Sequence, residues 1–129
     1  KELLFNSIKS NCIFTPHLGE FKRIFDYDEN DKIGSVVKSA QKSKSIVILK
    51  GHDTIIASPS GKVVINTHSS PYLSIAGAGD VLSGIIAGLV SRGMEEFKAV
   101  CYAVWAHGDA SLKLNKIFTI EELIDNLSL

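Results

Sequence analysis

Ala76-Gly77-Ala78-Gly79-Asp80-Val81-Leu82-Ser83 is the stretch that decides the fold, because it joins an irregular segment, residues 67–74, to a long apolar run. That run, 81–90, is too long for one strand and predicts a buried helix. Glycines permit tight backbone geometry and close approach of a ligand. A helix N-terminus offers unpaired N–H groups and a positive dipole end to an anion. With the carboxylate of Asp80 at the same place, the stretch predicts a phosphate-handling site with a resident base.

Outward from this stretch, strand and helix patterns alternate in the first half of the chain, and helices dominate the second half. The predicted elements are strand 11–15, helices 18–27 and 31–42, strand 45–49, a hairpin of strands 54–58 and 62–67, and helices 80–91 and 95–113. Thr119 and Glu122 predict a capping box for one more short helix. The order indicates an α/β fold and a single domain over residues 1–129. So few strands predict that part of the sheet belongs to sequence preceding Lys1.

Composition and charge exclude several classes of protein. Apolar residues make up 45% of the 129 and charged residues 22%, which is ordinary for a globular domain. The 14 basic and 14 acidic residues balance, which argues against a nucleic-acid surface driven by bulk charge. There is neither a membrane-length apolar run nor a signal-peptide pattern, and Cys12 and Cys101 have no zinc-type spacing. We therefore expect a cytoplasmic protein with free thiols, without nucleic-acid or membrane partners, and without metal-ligating residues.

Asp80 has a structural explanation as well as a functional one. An acidic residue in the first helical turn stabilises the dipole by about 0.3–1 kcal/mol, whatever its chemistry. Gly77 and Gly79 favour the functional explanation, because two glycines so close to a helix start cost conformational entropy that structure alone need not incur. Gly84 and Gly88 lie four apart on one helical face, and they are expected to permit close helix packing rather than to bind a ligand.

Two further segments follow predicted strands, where ligands bind in open α/β sheets. Lys50 could meet a phosphate, with Gly51 and Thr54 letting the turn approach a nucleotide; an ordinary solvated lysine is an equally good interpretation. In Thr15-Pro16-His17-Leu18-Gly19-Glu20, the imidazole of His17 could donate to a substrate and be held by Glu20, or the pair could be structural and open a helix.

The two remaining histidines are weaker candidates. His107 lies on the long predicted helix beside a glycine and is expected to pack. His68 lies in the irregular segment, and both a structural and a functional role stay open for it.

Three motifs in this order resemble the signatures of the ADP/ATP-dependent NAD(P)H-hydrate dehydratases, which belong to the ribokinase-like superfamily. They are the element at Thr15–Glu20, Val47-Ile48-Leu49-Lys50-Gly51 with Thr54, and the glycine stretch extended to Ile86. Ala106-His107-Gly108-Asp109-Ala110 is similar to that family's closing helix. The resemblance extends over nearly the whole chain, and it implies the C-terminal part of a ribokinase-like three-layer α/β/α domain.

The resemblance also implies an activity, the nucleotide-dependent repair of hydrated NADH or NADPH (NAD(P)HX). ADP or ATP, with Mg²⁺, would phosphorylate the ring hydroxyl, and phosphate would then leave to restore NAD(P)H. Asp80 would contact the substrate and act as the base, while Gly77, Ala78 and Gly79 would stabilise the transferring phosphoryl group. His17 would contact the hydrated cofactor. The residues that would border the nucleotide are Lys50, Gly51, His52, Asp53 and Thr54.

The chain departs from the family pattern in one loop and in its length. Ser69-Ser70-Pro71-Tyr72 stands where the family shows a Gly-Asn-Pro-Gly type loop. A full member is longer, which implies as partners a second copy of this chain, an N-terminal segment or an NAD(P)HX epimerase domain. Two rival hypotheses remain: a ribokinase-like small-molecule kinase that uses the same Asp80, and a catalytically inert nucleotide-binding fragment.

Overall fold

Strands and helices alternate in the computed structural model, which describes residues 2–8 and 12–129. In chain order the elements are helix α1 (Glu2–Asn6), strand β1 (Ile13–Phe14), helices α2 (Leu18–Ile24) and α3 (Lys32–Ser43), strands β2 (Ile46–Leu49), β3 (Thr54–Ala57) and β4 (Val63–Asn66), a short 3₁₀ turn (Pro71–Leu73), and helices α4 (Ala78–Ser91), α5 (Glu96–Leu114) and α6 (Ile120–Asp125). The α/β class expected from the sequence is confirmed. The chain divides into two units, Lys1–Ile65 and Asn66–Leu129. Within the described residues, no helix combines the length and the apolarity needed to cross a membrane.

The first unit contains a four-stranded sheet in the order β1-β2-β3-β4. β1 runs parallel to β2, with Ile13 opposite Ile46, and β2 runs antiparallel to β3. Every residue of β2 is buried, as expected of a β-branched run covered on both faces. β4 instead exposes its valines and isoleucine, as the last strand in the sheet order.

Helices α2 and α3 share the core of the first unit with strands β2 and β3. Phe21, Phe25, Val36 and Ala40 pack with buried residues of β2 and β3. α2 is shorter than the predicted helix 18–27, because Phe25 takes an extended backbone and ends it. Helical spacing predicts Ile33 on the buried stripe of α3, but Ile33 is 43% exposed.

Two parts of the N-terminal region differ from the sequence expectation. α1 has no counterpart among the predicted elements. The predicted strand 11–15 is reduced to the two residues of β1, and Asn11 lies outside the described residues.

In the second unit, α4, α5 and α6 pack around a small core of Ala78, Ala110, Phe118 and Leu123. The predicted capping box is confirmed: the Thr119 side chain accepts from the N–H of Glu122, and the Glu122 carboxylate accepts from the N–H of Thr119. α4 begins two residues before the predicted start.

Two expectations for the second unit are wrong. Helical spacing predicts Trp105 on the buried stripe of α5, but Trp105 is 43% exposed and stacks on the ring of His68. Gly84 and Gly88 are not packing glycines: a β-carbon at either position would meet no described atom within 4 Å, so no neighbouring helix requires the small side chain.

Candidate active site

The carboxyl ends of β1 and β2 lie side by side, which brings two of the sequence motifs together. His17 and Lys50 form a parallel bridge just beyond the strands. The N–H of Lys50 donates to the carbonyl oxygen of Pro16 at 2.9 Å. The Thr-Pro-His element and the Lys-Gly turn are therefore neighbours at one edge of the sheet, where ligands bind in open α/β folds.

His17 opens α2 and is held by Glu20 in a reciprocal cap. Nδ1 of His17 accepts from the N–H of Glu20 at 3.3 Å, while the N–H of His17 donates to Oε2 of Glu20 at 3.0 Å. Because Nδ1 accepts, the proton of the neutral ring is on Nε2, which lies 3.4 Å from Oε1 of Glu20. Both side chains remain accessible. The structural role that the sequence left open, a cap that opens α2, is therefore observed, while the Nε2–H group stays accessible.

The Glu20 carboxylate is kept ionised by this arrangement. The hydrogen bond from the N–H of His17 lowers the pKa of Glu20, outweighing the effect of burial, and electrostatic interactions with His17, Lys50 and Arg23 add to the lowering. Glu20 therefore stays a hydrogen-bond acceptor for His17 at neutral pH.

The turn from Lys50 to Thr54 is exposed to solvent at its centre and is held by hydrogen bonds within the turn. Oγ1 of Thr54 donates to the carbonyl oxygen of Gly51 at 3.4 Å, and Nδ1 of His52 lies 3.3 Å from Oδ1 of Asp53. A β-carbon on Gly51 would lie 3.8 Å from the Asp53 carbonyl oxygen. Gly51 is exposed and carries no side chain, so a ligand can approach the backbone on this side of the turn.

Lys32 also reaches this turn, and the sequence motifs do not include it. Its Nζ would lie 3.9 Å from a β-carbon on Gly51. The sequence does contain a signal for Lys32. It directly follows the N-cap Asp31, and a cation in the first turn of a helix is unfavourable because it opposes the helix dipole.

In the second unit, the glycine motif forms the start of α4. Gly77 is the N-cap with φ 91°, a left-handed backbone that disfavours any side chain. Asp80 lies exposed in the first turn. No side chain caps this end, and among the described residues the N–H groups of Gly79 and Asp80 have no hydrogen-bond partner. Two amide donors and a carboxylate are thus presented together at one helix end.

His107 holds this helix end in place. Its Nε2 donates to the carbonyl oxygen of Ala78 at 2.9 Å, and the ring is buried. The bond joins α5 to the first turn of α4, so the expectation that His107 packs is confirmed.

The model of the NAD(P)H-hydrate dehydratase family matches residues 1–128. The chain belongs to this family. Its match covers both the cap at His17 and the glycine motif before Asp80.

Two relatives are similar to most of this dehydratase-family chain, over 109 and 105 aligned residues. The bifunctional NAD(P)H-hydrate repair enzyme Nnr of Thermosynechococcus vestitus is 42% identical over 109 residues, 82% of this chain and 21% of that protein. The ADP-dependent (S)-NAD(P)H-hydrate dehydratase of Neisseria meningitidis serogroup B is 37% identical over 105 residues, 78% of this chain and 36% of that protein.

A solved structure confirms the fold of this dehydratase-family chain. The ADP/ATP-dependent NAD(P)H-hydrate dehydratase from Bacillus subtilis, co-crystallised with ATP/Mg²⁺ and soaked with CoA, superposes with a TM-score of 0.80 at 31% identity. The match covers 88% of this chain and 46% of that one. The ribokinase-like fold expected from the sequence is thus confirmed, and the chain spans less than half the length of the relatives it matches.

The segment that departs from the dehydratase pattern is anchored to α5. Nε2 of His68 lies 3.0 Å from Oδ1 of Asp109, and its ring stacks on Trp105 with centroids 5.4 Å apart. The N–H of Ser70 donates to Oγ of Ser111 at 3.0 Å. The histidine that the sequence left undecided therefore has a structural partner on the helix.

Asp109 carries a lowered pKa as a result. The hydrogen bond from His68 is the main cause, and Lys113, whose Nζ lies 2.9 Å from Oδ2, is the second. Asp109 thus stays charged between its two partners at neutral pH.

Proposed function

We propose that this chain is the nucleotide-binding and base-bearing portion of an enzyme that uses ADP or ATP to dehydrate hydrated NADH or NADPH. In this proposal residues 1–129 form the C-terminal portion of one dehydratase domain. The observation that carries it is the exposed carboxylate of Asp80 at a glycine-led helix start, in a chain that belongs to the dehydratase family. The named activities of the relatives support the substrate class.

Asp80 would act as the general base. As the ring hydroxyl oxygen forms a bond to the terminal phosphorus of the nucleotide, its proton passes to the Asp80 carboxylate, and the old P–O bond breaks with its electrons leaving on the shortened nucleotide. The C–O bond of the phosphate ester so formed then breaks, with its electron pair going to phosphate. Loss of a proton from the adjacent ring carbon restores the double bond of NAD(P)H.

The start of α4 would stabilise the charge on the transferring phosphoryl group. Gly77 turns the chain into the helix, and the N–H groups of Gly79 and Asp80 supply donors that no described residue uses. Donors fixed before the reaction need no reorganisation as charge develops, which is why such amides stabilise transition states.

The first unit would bind the remaining parts of the substrates. Lys50 and the turn through Gly51, His52, Asp53 and Thr54 would border the nucleotide, with the glycine allowing close approach. The accessible N–H of His17, oriented by Glu20, would donate to the hydrated cofactor.

Mg²⁺ would be held chiefly by the nucleotide. Within residues 2–8 and 12–129 there is no group of three histidine, cysteine or acidic side chains placed to hold a metal ion. Mg²⁺ does not need such a group, because it keeps several waters and binds through phosphates with one or two carboxylates. Asp80 is the carboxylate proposed to lie at the transferring phosphoryl group, so it is the side chain that would contact the ion. The ion would neutralise phosphate charge.

The proposed partners follow from the length of the relatives. One relative is named as bifunctional, so we propose an epimerase domain or an N-terminal segment as a partner of this chain. Self-association is the further candidate, since β4 exposes three apolar side chains at the last strand of the sheet. A cytoplasmic location is part of the same proposal, because it would match free thiols at Cys12 and Cys101.

The test is recovery of reduced-nicotinamide absorbance when the protein is given hydrated NADH, Mg²⁺ and either ADP or ATP. The assay is run on this chain and on the product of the complete reading frame that contains it. Nucleotide-dependent recovery by the complete product supports the proposal. Recovery by neither protein contradicts it.

The same samples separate the two rival functions. Stable phosphorylation of an added alcohol, without recovery, indicates a small-molecule kinase. Binding of ADP or ATP in calorimetry without either reaction indicates an inert nucleotide-binding fragment.

A further inference from the structure

We infer that Lys32 is an additional phosphate-binding residue of the nucleotide site, an inference that rests on the proposed function. Nζ of Lys32 lies beside Gly51, at 3.9 Å from the position of a β-carbon there. The lysine comes from α3, so a second element of the first unit contributes to the turn that follows β2.

The charge of Lys32 is not used by the part of the chain that the structure describes. Other lysines in the described part of the chain form ion pairs with carboxylates at 2.9–3.8 Å, among them Lys22, Lys42, Lys113 and Lys116. Among the described residues, no ion pair or hydrogen bond involves Lys32, although its side chain is half-buried. Because no described carboxylate neutralises this ammonium, its charge is available to an anion. An anionic ligand at Gly51 would supply the missing partner.

The place of Lys32 in its helix points the same way. It occupies the first turn of α3, where no acidic residue is present and where the dipole disfavours a cation. Local preferences that a sequence violates are commonly found at functional sites.

The charge around the turn suits a polyphosphate. Lys50 and His52 add positive or protonatable groups, and the single carboxylate of the turn, Asp53, lies against His52. Lysine contacts phosphate as a flexible point charge, so it recognises the number of phosphates rather than the base. Lys32 would therefore distinguish nucleoside di- and triphosphates from nucleosides.

The experiment is calorimetric titration of the full chain and its variants with adenosine, AMP, ADP and ATP. For Lys32→Met we expect ADP and ATP affinity to fall by about tenfold, in line with the loss of one charge-assisted contact. Adenosine binding should not change, and Lys32→Arg should restore most of the affinity. The matched control is Lys38→Met, which removes an exposed lysine from the same helix and should bind as the wild type does.

The outcomes separate this inference from the proposed function. If the wild-type chain binds no nucleotide, both are contradicted. If the wild type binds and Lys32→Met binds equally well, only the role of Lys32 is overturned. Thermal melts check folding, and Lys32→Gln is measured in its place if Lys32→Met does not fold.

Discussion

The carbonyl oxygen of His68 lies against Gly108 of α5, in the space that a β-carbon on residue 108 would fill. The ring of His68 continues this contact, since it stacks on Trp105 and meets Asp109. The segment before the glycine motif is thereby held on the helix by both backbone and side chain. Gly108 is required at this point because the two backbones approach so closely.

Gly108→Ala should therefore destabilise the protein. The added methyl would overlap the His68 carbonyl and force a backbone shift, at a cost of about 1–3 kcal/mol in the free energy of unfolding. Urea denaturation measures this cost. The matched control is Gly88→Ala in α4, where the β-carbon meets no described atom and helix propensity predicts a gain of up to about 1 kcal/mol. Equal effects of the two variants would contradict the close approach.

Gly77→Ala should destabilise the protein more than Gly61→Ala, the same change at another glycine with a left-handed backbone. Its left-handed backbone alone costs an alanine about 1–2 kcal/mol. A β-carbon would also lie 3.2 Å from Cγ1 of Ile120, which must give way. Gly61→Ala is the control, because Gly61 has φ 92° and open space around it. The measurement is the melting temperature of both variants. If Gly61→Ala lowers it as much as Gly77→Ala or more, the contact with Ile120 contributes nothing.

Asp109→Asn should reduce stability at neutral pH and have little effect in acid. Hydrogen bonds from His68 and then Lys113 lower the pKa of Asp109 from its ordinary 3.8 on folding. The charged carboxylate therefore stabilises the fold above about pH 4, and this contribution is lost as the pH falls through the lowered folded-state pKa.

The measurement is the melting temperature of wild type and variant from pH 7 down to pH 2. The two curves should begin to approach each other below about pH 4 and converge at the acid end of this range. Asp125→Asn, at an exposed position with no ion pair within the described residues, should follow the wild type throughout. A gap between wild type and Asp109→Asn that stays constant with pH would rule out the ionised carboxylate as its source.

Asp80→Asn should abolish turnover while leaving nucleotide affinity largely intact. The amide keeps the shape of the side chain but cannot take a proton, and a general base contributes about 10²–10⁴-fold to a rate. The readouts are recovery of hydrated NADH by the active protein and calorimetric ADP binding. A variant that keeps more than a tenth of the wild-type rate would show that Asp80 is not the base.

The local sequence patterns predicted most helices and strands, and the residues show why. Such patterns depend on residues only three or four positions apart. Examples are the capping box of Thr119 and Glu122, and the β-branched run of β2. Trp105 and Gly88 were misjudged, because helical spacing gives a side chain's direction but not whether another element covers it. The residues proposed for catalysis and binding stay predictions for the experiments above.

The sequence by itself determined the α/β class, the dehydratase family, and the positions where helices start, because these depend on short motifs and neighbouring residues. Only the tertiary structure decided which distant residues meet. It placed His17 beside Lys50, Lys32 beside Gly51, and His68 on Asp109, 41 positions away. Such contacts depend on strand register and helix packing, which bring together residues whose separation along the chain gives no local signal.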